Sequence, residues 1–164
     1  MSRPATPRSA PATGPVDGID QIDEIDQAGE IDQKATGFLR SLMPFTAVMG
    51  TEAVVAGPEE VRLRLPWAEQ LCTGSGVLHG GALMALADAA GAWCAFLNLP
   101  EGARTTTIES KTNFLRAAKS NYVDAVARPL HVGRTTIVVD TEVRDADGKL
   151  VSRSSQTQAV LAGQ

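Results

Sequence analysis

The chain is poor in the residues that hold metals and disulfides. Only two histidines and two cysteines occur among 164 residues. Neither His79 nor His131 has a cysteine or acid at metal-ligand spacing, so no metal site is expected. Cys72 and Cys94 form no Cys-x-x-Cys pair, and no secretory leader is evident. That combination predicts reduced thiols in a cytoplasmic protein. A charge-free apolar run of about 18 residues, the length of a membrane span, is missing because Asp88 interrupts the best candidate. Gly74-Ser-Gly76 lacks the following Lys-Ser/Thr of a phosphate loop. The absence of a Gly-x-Ser-x-Gly elbow removes support for a serine hydrolase.

Excess charge of one sign is also missing from most of the chain. The net charge is −4, but residues 1–33 hold Arg3 and Arg8 against seven acids. The remainder is close to neutral, which argues against bulk nucleic-acid binding. The length suits one domain of residues 35–164 behind a tail of residues 1–34. Pro4, Pro7, Pro11 and Pro15 among Ala, Ser and Thr give the tail's start a disordered composition. Repeated Ile-Asp pairs follow, with Ile19, Ile22 and Ile25 three residues apart. They read either as an acidic solvated tail or as a partner-binding segment anchored by the isoleucines.

What is present centres on one stretch, Thr73-Gly-Ser-Gly-Val-Leu-His79-Gly80-Gly81 and the Ala-rich apolar run behind it. The run reads as a helix from about Leu78 to Leu97. Leu83, Leu86, Ala90, Cys94 and Leu97 keep one helical stripe, and Ala82, Ala85, Ala89 and Ala92 a second of small residues. Asp88 is its one charge, and a lone carboxylate in such a helix is costly unless paired or used. The glycines leave the first N–H groups open at the positive end of the helix dipole. Gly80 and Asp88 are eight residues apart, or ~12 Å along the axis, so one carbonyl cannot touch both in one chain. Two antiparallel copies place Gly80 of one beside Asp88 of the other. The spacing therefore suggests a homodimer with composite sites.

Around this helix the pattern is mostly extended. Ala35–Met43 carries a weak helical stripe ending at Pro44. Thr46–Ala56 reads as β-prone, and Val61, Leu63 and Leu65 alternate with Arg62 and Arg64 as a half-buried strand. Strands are expected over Thr105–Leu115, Tyr122–His131, Thr135–Arg144 and Lys149–Leu161, with Asp147-Gly148 as a hairpin turn. The last strand, poor in apolar residues, is expected near an edge. One long helix among antiparallel strands predicts an α+β fold whose sheet wraps the helix.

Residues 36–161 resemble the hotdog-fold acyl-CoA thioesterases, in the PaaI-type branch related to 4-hydroxybenzoyl-CoA thioesterase. The resemblance rests on Gly76-x-x-His79-Gly80-Gly81 with Asp88 seven residues on, Thr107-Ile-Glu-Ser-Lys-Thr-Asn113-Phe-Leu-Arg116, and His131-Val-Gly133-Arg134-Thr135. It implies that the Gly80 N–H holds the thioester oxygen while Asp88 of the other subunit acts as general base or nucleophile. Thr73 stands where the family has Asn or Gln to position that carbonyl. Thr107 falls where relatives carry Ser or Thr near the attacking group. The implied reaction is acyl-CoA hydrolysis by a homodimer or homotetramer. No cofactor is needed, since coenzyme A is part of the substrate.

Each assignment has an ordinary structural alternative. Asp88 could simply bond backbone at a packing site. His79 reads more readily as a loop-shaping residue than as a base, and His131 as a strand end. Trp93, Phe96 and Phe114 suit either core or tunnel. Arg134, then Arg116 and Lys119, are candidates for the coenzyme A phosphates, or else solvated charges. A hotdog hydratase or dehydratase is disfavoured by the missing His-Phe-Pro loop. A non-catalytic acyl-CoA binder stays open because of Thr73 and the tail.

Overall fold

The computed structural model describes residues 29–119 and 121–162. The tail's proline-rich start and its Ile19, Ile22 and Ile25 lie outside them.

Helix α1 (Gln33–Leu42) starts at Asp32, whose carboxylate accepts from the Ala35 N–H. Such a cap stabilises a helix by ~1 kcal/mol. Pro44 then opens a second short helix, α2 (Pro44–Met49). Here the sequence expectation of extended chain from Thr46 is corrected. Proline presets the first helical position, and Gly50, at φ +77°, closes the last turn in the left-handed region. These two residues outweigh the β preference of Thr46 and Val48. Strand β1 (Glu52–Ala56) follows, then β2 (Val61–Pro66).

The long helix α3 spans Gly80–Leu97. Behind it come β3 (Arg104–Phe114), β4 (Tyr122–Val132), β5 (Thr136–Asp145) and β6 (Leu150–Leu161). The six strands form one antiparallel sheet in the order β1-β2-β4-β5-β6-β3. Asp147-Gly148 makes the expected hairpin, with Gly148 at φ +79° and the Asp145 carboxylate accepting from the Asp147 and Lys149 N–H groups.

One face of the sheet wraps α3. Leu83, Leu86, Ala90 and Cys94 are buried against Leu63, Leu65, Val123, Ile137, Val139 and Val143. The helix is long and apolar enough to cross a bilayer by length and composition, yet it packs here as the core of the wrapped sheet. Its other stripe is open. Gly81, Met84, Asp88 and Phe96 are exposed, with Ala85 and Ala92 half-buried between them.

β6 corrects the edge expectation, because it lies between β5 and β3 and the edges are β1 and β3. Its inward residues are polar. Ser152, Ser154, Gln156 and Gln158 are all within 2% of full burial. β3 carries a register shift between Thr107 and Glu109. Thr107 bonds inward to Gln158 and Thr112 bonds inward to Ser154, five positions apart. Regular alternation forbids that, so Ile108 is the extra residue that keeps both sides of the bulge facing the helix.

Candidate active site

The tip of α3 is held by backbone bonds on both sides. Thr73 and Val77 close a tight turn, with the Thr73 N–H donating to Val77 O at 2.8 Å and Gly76 at φ +73°. The Leu78 N–H donates to Ala118 O and the His79 N–H to Leu71 O, each at 2.9 Å. His79 is the N-cap, and its Nδ1 accepts from the Gly81 N–H at 2.9 Å. The loop-shaping reading of His79 describes this geometry. That nitrogen's lone pair is engaged within the helix cap.

With Gly81 occupied, Gly80 supplies the open donor. Among the described residues nothing accepts from its N–H. The Phe114 ring of β3 lies over it, and a Cβ at Gly80 would stand 3.1 Å from Phe114 Cζ. Glycine thus permits the close approach of that ring, which would have to give by a few tenths of an ångström for any side chain there. Thr73 points its hydroxyl at Ser75, 2.9 Å away.

Asp88 sits on the open stripe, two turns further along. Gln156 Nε2 donates to its Oδ1. The carboxylate meets solvent on one side, but its apolar surroundings desolvate it enough to raise its pKa above the ordinary Asp value. Thr107 belongs to the same cluster. Its Oγ1 accepts from Gln158 Nε2 at 2.8 Å and from Gln156 Nε2 at 3.4 Å. Since both amides donate, the Thr107 hydroxyl has its proton left to offer.

Apolar clefts flank Asp88 along α3. One, of about 390 Å³, is lined by Phe45, Val48, Cys72, His79, Gly81 and Ala85. The other, of about 350 Å³, is lined by Leu42, Met43, Ala92, Trp93, Phe96 and Thr105, with Arg104 as its one charged residue. Trp93 itself is core, 2% exposed and packed on Phe38, whereas Phe96 is half-open.

The expected phosphate-binding residues are not gathered in one place. Arg116 and Lys119 share a cleft of about 270 Å³ with Asn121, Asp145 and Lys149. Arg134 stands exposed at the opposite end of β4, which at ~3.4 Å per residue is more than 30 Å away. Gly133 is explained locally, because a Cβ there would meet Thr136 O at 2.9 Å. Asn113 alternates with inward Thr112 and Phe114, so it faces away from α3.

Gln156 and Gln158 are site residues that sequence reasoning missed, whereas Phe114, which suited either core or tunnel, lies against Gly80. The two glutamines carried a signal in the alternating Ser152, Ser154, Gln156 and Gln158, a polar stripe at strand period in a chain segment without edge-type charge alternation.

Comparison with known proteins agrees with this architecture. The profile of the Thioesterase superfamily matches residues 75–152. A Haemophilus influenzae protein provisionally named an esterase is 31% identical over 113 residues, covering 69% of this chain and 82% of its own length. The 1,4-dihydroxy-2-naphthoyl-CoA hydrolase of Escherichia coli K12 is 34% identical over 86 residues, covering 52% of this chain and 63% of the relative. The crystal structure of a Haemophilus influenzae thioesterase superposes with a TM-score of 0.73 at 29% identity, covering 77% of this chain and 90% of that one. The chain belongs to the thioesterase superfamily, its antiparallel sheet around one long helix is the hotdog fold, and its general chemistry is thioester hydrolysis.

Proposed function

We propose that the protein is an acyl-CoA thioesterase of the PaaI type, working at sites shared by two copies of the chain. The observation that carries this reading is the separation of two reactive features on one helix. The unpartnered Gly80 N–H and the Asp88 carboxylate both belong to α3, yet lie ~12 Å apart along its axis. Each half of the chemistry needs a second copy to complete it.

β3 supplies the means of pairing. It is an eleven-residue edge strand with its outer backbone groups unpaired, and exposed Ile108 and Phe114 lie along it. Gly80 sits over Phe114, and Asp88 shares Gln156 with Thr107. An antiparallel β3–β3 pair centred near Ser110 and Lys111 brings Phe114 of one copy opposite Thr107 of the other. Gly80 then arrives beside the other copy's Asp88. The same pairing covers Met84, Phe96 and the open apolar stripe of α3.

In such a site the Gly80 N–H stabilises the oxyanion that forms as the thioester carbonyl is attacked, a contribution of ~3 kcal/mol for one such donor. Asp88 either takes a proton from water or attacks the carbonyl itself. The products are a free acid and coenzyme A. The naphthoyl-CoA hydrolase named among the relatives supports an acyl-CoA as the substrate class.

The test is thiol release from a panel of acyl-CoAs differing in length and aromaticity, with wild type and Asp88→Asn. Asp88→Asn is expected to lose turnover by orders of magnitude while remaining oligomeric. Undiminished hydrolysis by that variant removes the carboxylate from the mechanism.

A further inference from the structure

Building on the thioesterase reading above, we propose that Gln156, seated in a notch that Gly91 opens in α3, is the positioning residue that fixes the Asp88 carboxylate for catalysis. Gln156 is 1% exposed and lies on β6 in the interior of the sheet. Its Nε2 donates to Asp88 Oδ1 and, at 3.4 Å, to Thr107 Oγ1. Both N–H groups of the amide are therefore directed at the two chemical side chains of the cluster. The clamp holds Oδ1 and leaves Oδ2 as the oxygen that can take a proton or attack.

Gly91 makes the seat possible. It lies three residues after Asp88, on the adjoining turn of a helix whose neighbouring small residues are alanines. A Cβ at Gly91 would fall well inside contact distance of Gln156 Oε1. Glycine is a poor helix former, and the space it frees is filled by the amide. Gln158 braces the arrangement one step along β6. The Thr105 hydroxyl donates to Gln158 Oε1 at 2.9 Å, and Gln158 Nε2 donates to Thr107 Oγ1 at 2.8 Å. Thr107 is thus tied to both glutamines.

Stability alone does not account for this amide. Gln156 Oε1 is buried without a partner, as is Thr141 Oγ1 beside the same notch. An apolar side chain of like volume would leave no such acceptor unsatisfied. What the amide contributes is a donor to an anion. An ionised carboxylate only accepts hydrogen bonds, so the Gln156 N–H favours the charged form and opposes the effect of burial.

No other charge acts on Asp88 through an ion pair among the described residues. Arg62 and Arg128 pair with Glu60, Arg64 with Asp124, Arg144 with Glu142 and Arg153 with Asp140. Glu109 and Lys111 of β3 alternate to the sheet's other face, Arg104 lines the cleft beside Phe96 without pairing to Asp88, Asp145 caps the β5–β6 turn, and His131 lies against Gly133. α2 carries no charged residue, and Arg40 of α1 donates to Thr51 O.

The deciding variant is Gln156→Met, which keeps the volume and removes both donors. The Asp88 carboxyl is followed by ¹³C NMR titration, and the pH profile of kcat/KM is recorded on an acyl-CoA. The carboxyl midpoint and the acid limb are expected to move up together by about one pH unit, with kcat down about tenfold, KM little changed and Tm undiminished. Gly91→Ala should reproduce the shift by expelling the amide, and should add nothing in a Gln156→Ala background. An unmoved carboxyl midpoint in Gln156→Met overturns the proposal, and so does a Gly91→Ala effect that persists without Gln156. The NMR titration needs no turnover. A protein that cleaves no acyl-CoA defeats the functional reading alone, and the titration still decides the role of Gln156.

Discussion

Two inactive forms of this protein should restore one another. Asp88→Asn removes the carboxylate, and Gly80→Pro removes the open N–H at the tip of α3. Proline is well suited to the first helical position, where its missing N–H breaks no helical bond. The half-exposed Phe114 ring, 3.1 Å from a Cβ at Gly80, must swing aside, and circular dichroism checks that the fold survives. Losing the Gly80 donor alone should cost 10²–10³ in kcat, or ~3 kcal/mol. In a hybrid dimer, the intact Gly80 of the Asp88→Asn chain faces the intact Asp88 of the Gly80→Pro chain. One site of the two is whole and the other carries both defects. Random reassortment makes about half of the dimers hybrid, so the mixture should recover about a quarter of wild-type activity. Purifying the hybrid through two different tags should raise this to about half. Thiol release from an acyl-CoA is the assay, after unfolding and refolding the two variants together. Activity that never exceeds the sum of the separate variants refutes the shared site, because a site built within one chain cannot be complemented.

Other expectations concern stability and thiol chemistry. Burial raises the Asp88 pKa in the folded chain above its unfolded value. Its contribution is therefore fully present below the unfolded pKa and is lost as pH rises through the folded pKa. Asp88→Asn should thus melt higher than wild type at neutral pH, with the gap closing on acidification through the carboxylate range; thermal melts at a series of pH values follow this, and a gap that widens at low pH contradicts it. The Cys94 thiol is buried and pushed up to about 11, whereas Cys72 is half-exposed. Ellman's reagent at pH 8 should titrate one thiol in the folded chain and two after unfolding.

Much of the architecture was legible because two periodicities stand out. The α3 stripe of Leu83, Leu86, Ala90 and Cys94 is buried as its spacing predicts. The four strands behind it start and stop within a residue or so of their alternation and turn signals. α2 was hidden because β-branched side chains dominate a propensity reading, while Pro44 and Gly50 decide the backbone. β6 was misplaced because poverty in apolar residues was taken as exposure, when its polar side chains line an interior.

At the site, Asp88 and Gly80 were found from local sequence, one as an isolated charge and the other as a helix start. Gln156 was not, since it meets Asp88 from 68 residues away and neither residue type announces the other. Arg134 was singled out beside the Gly133 break, with Arg116 and Lys119 after it, and within one chain the length of β4 separates the first from the other two.

The bulge at Ile108 also sets how this strand can vary in length. Were Ile108 to take a place in regular alternation instead of bulging, Ser110, Thr112 and Phe114 would rotate to the outside, and the ring that covers Gly80 would be lost from the pocket. A single-codon deletion of Ile108, whose side chain is 63% exposed, leaves Thr107 and Thr112 four positions apart and in phase, so it should be tolerated without turning Phe114 outward. The strand thus has room to lose one residue at this point, and what its descendants must keep is the phase that faces Thr107, Thr112 and Phe114 inward.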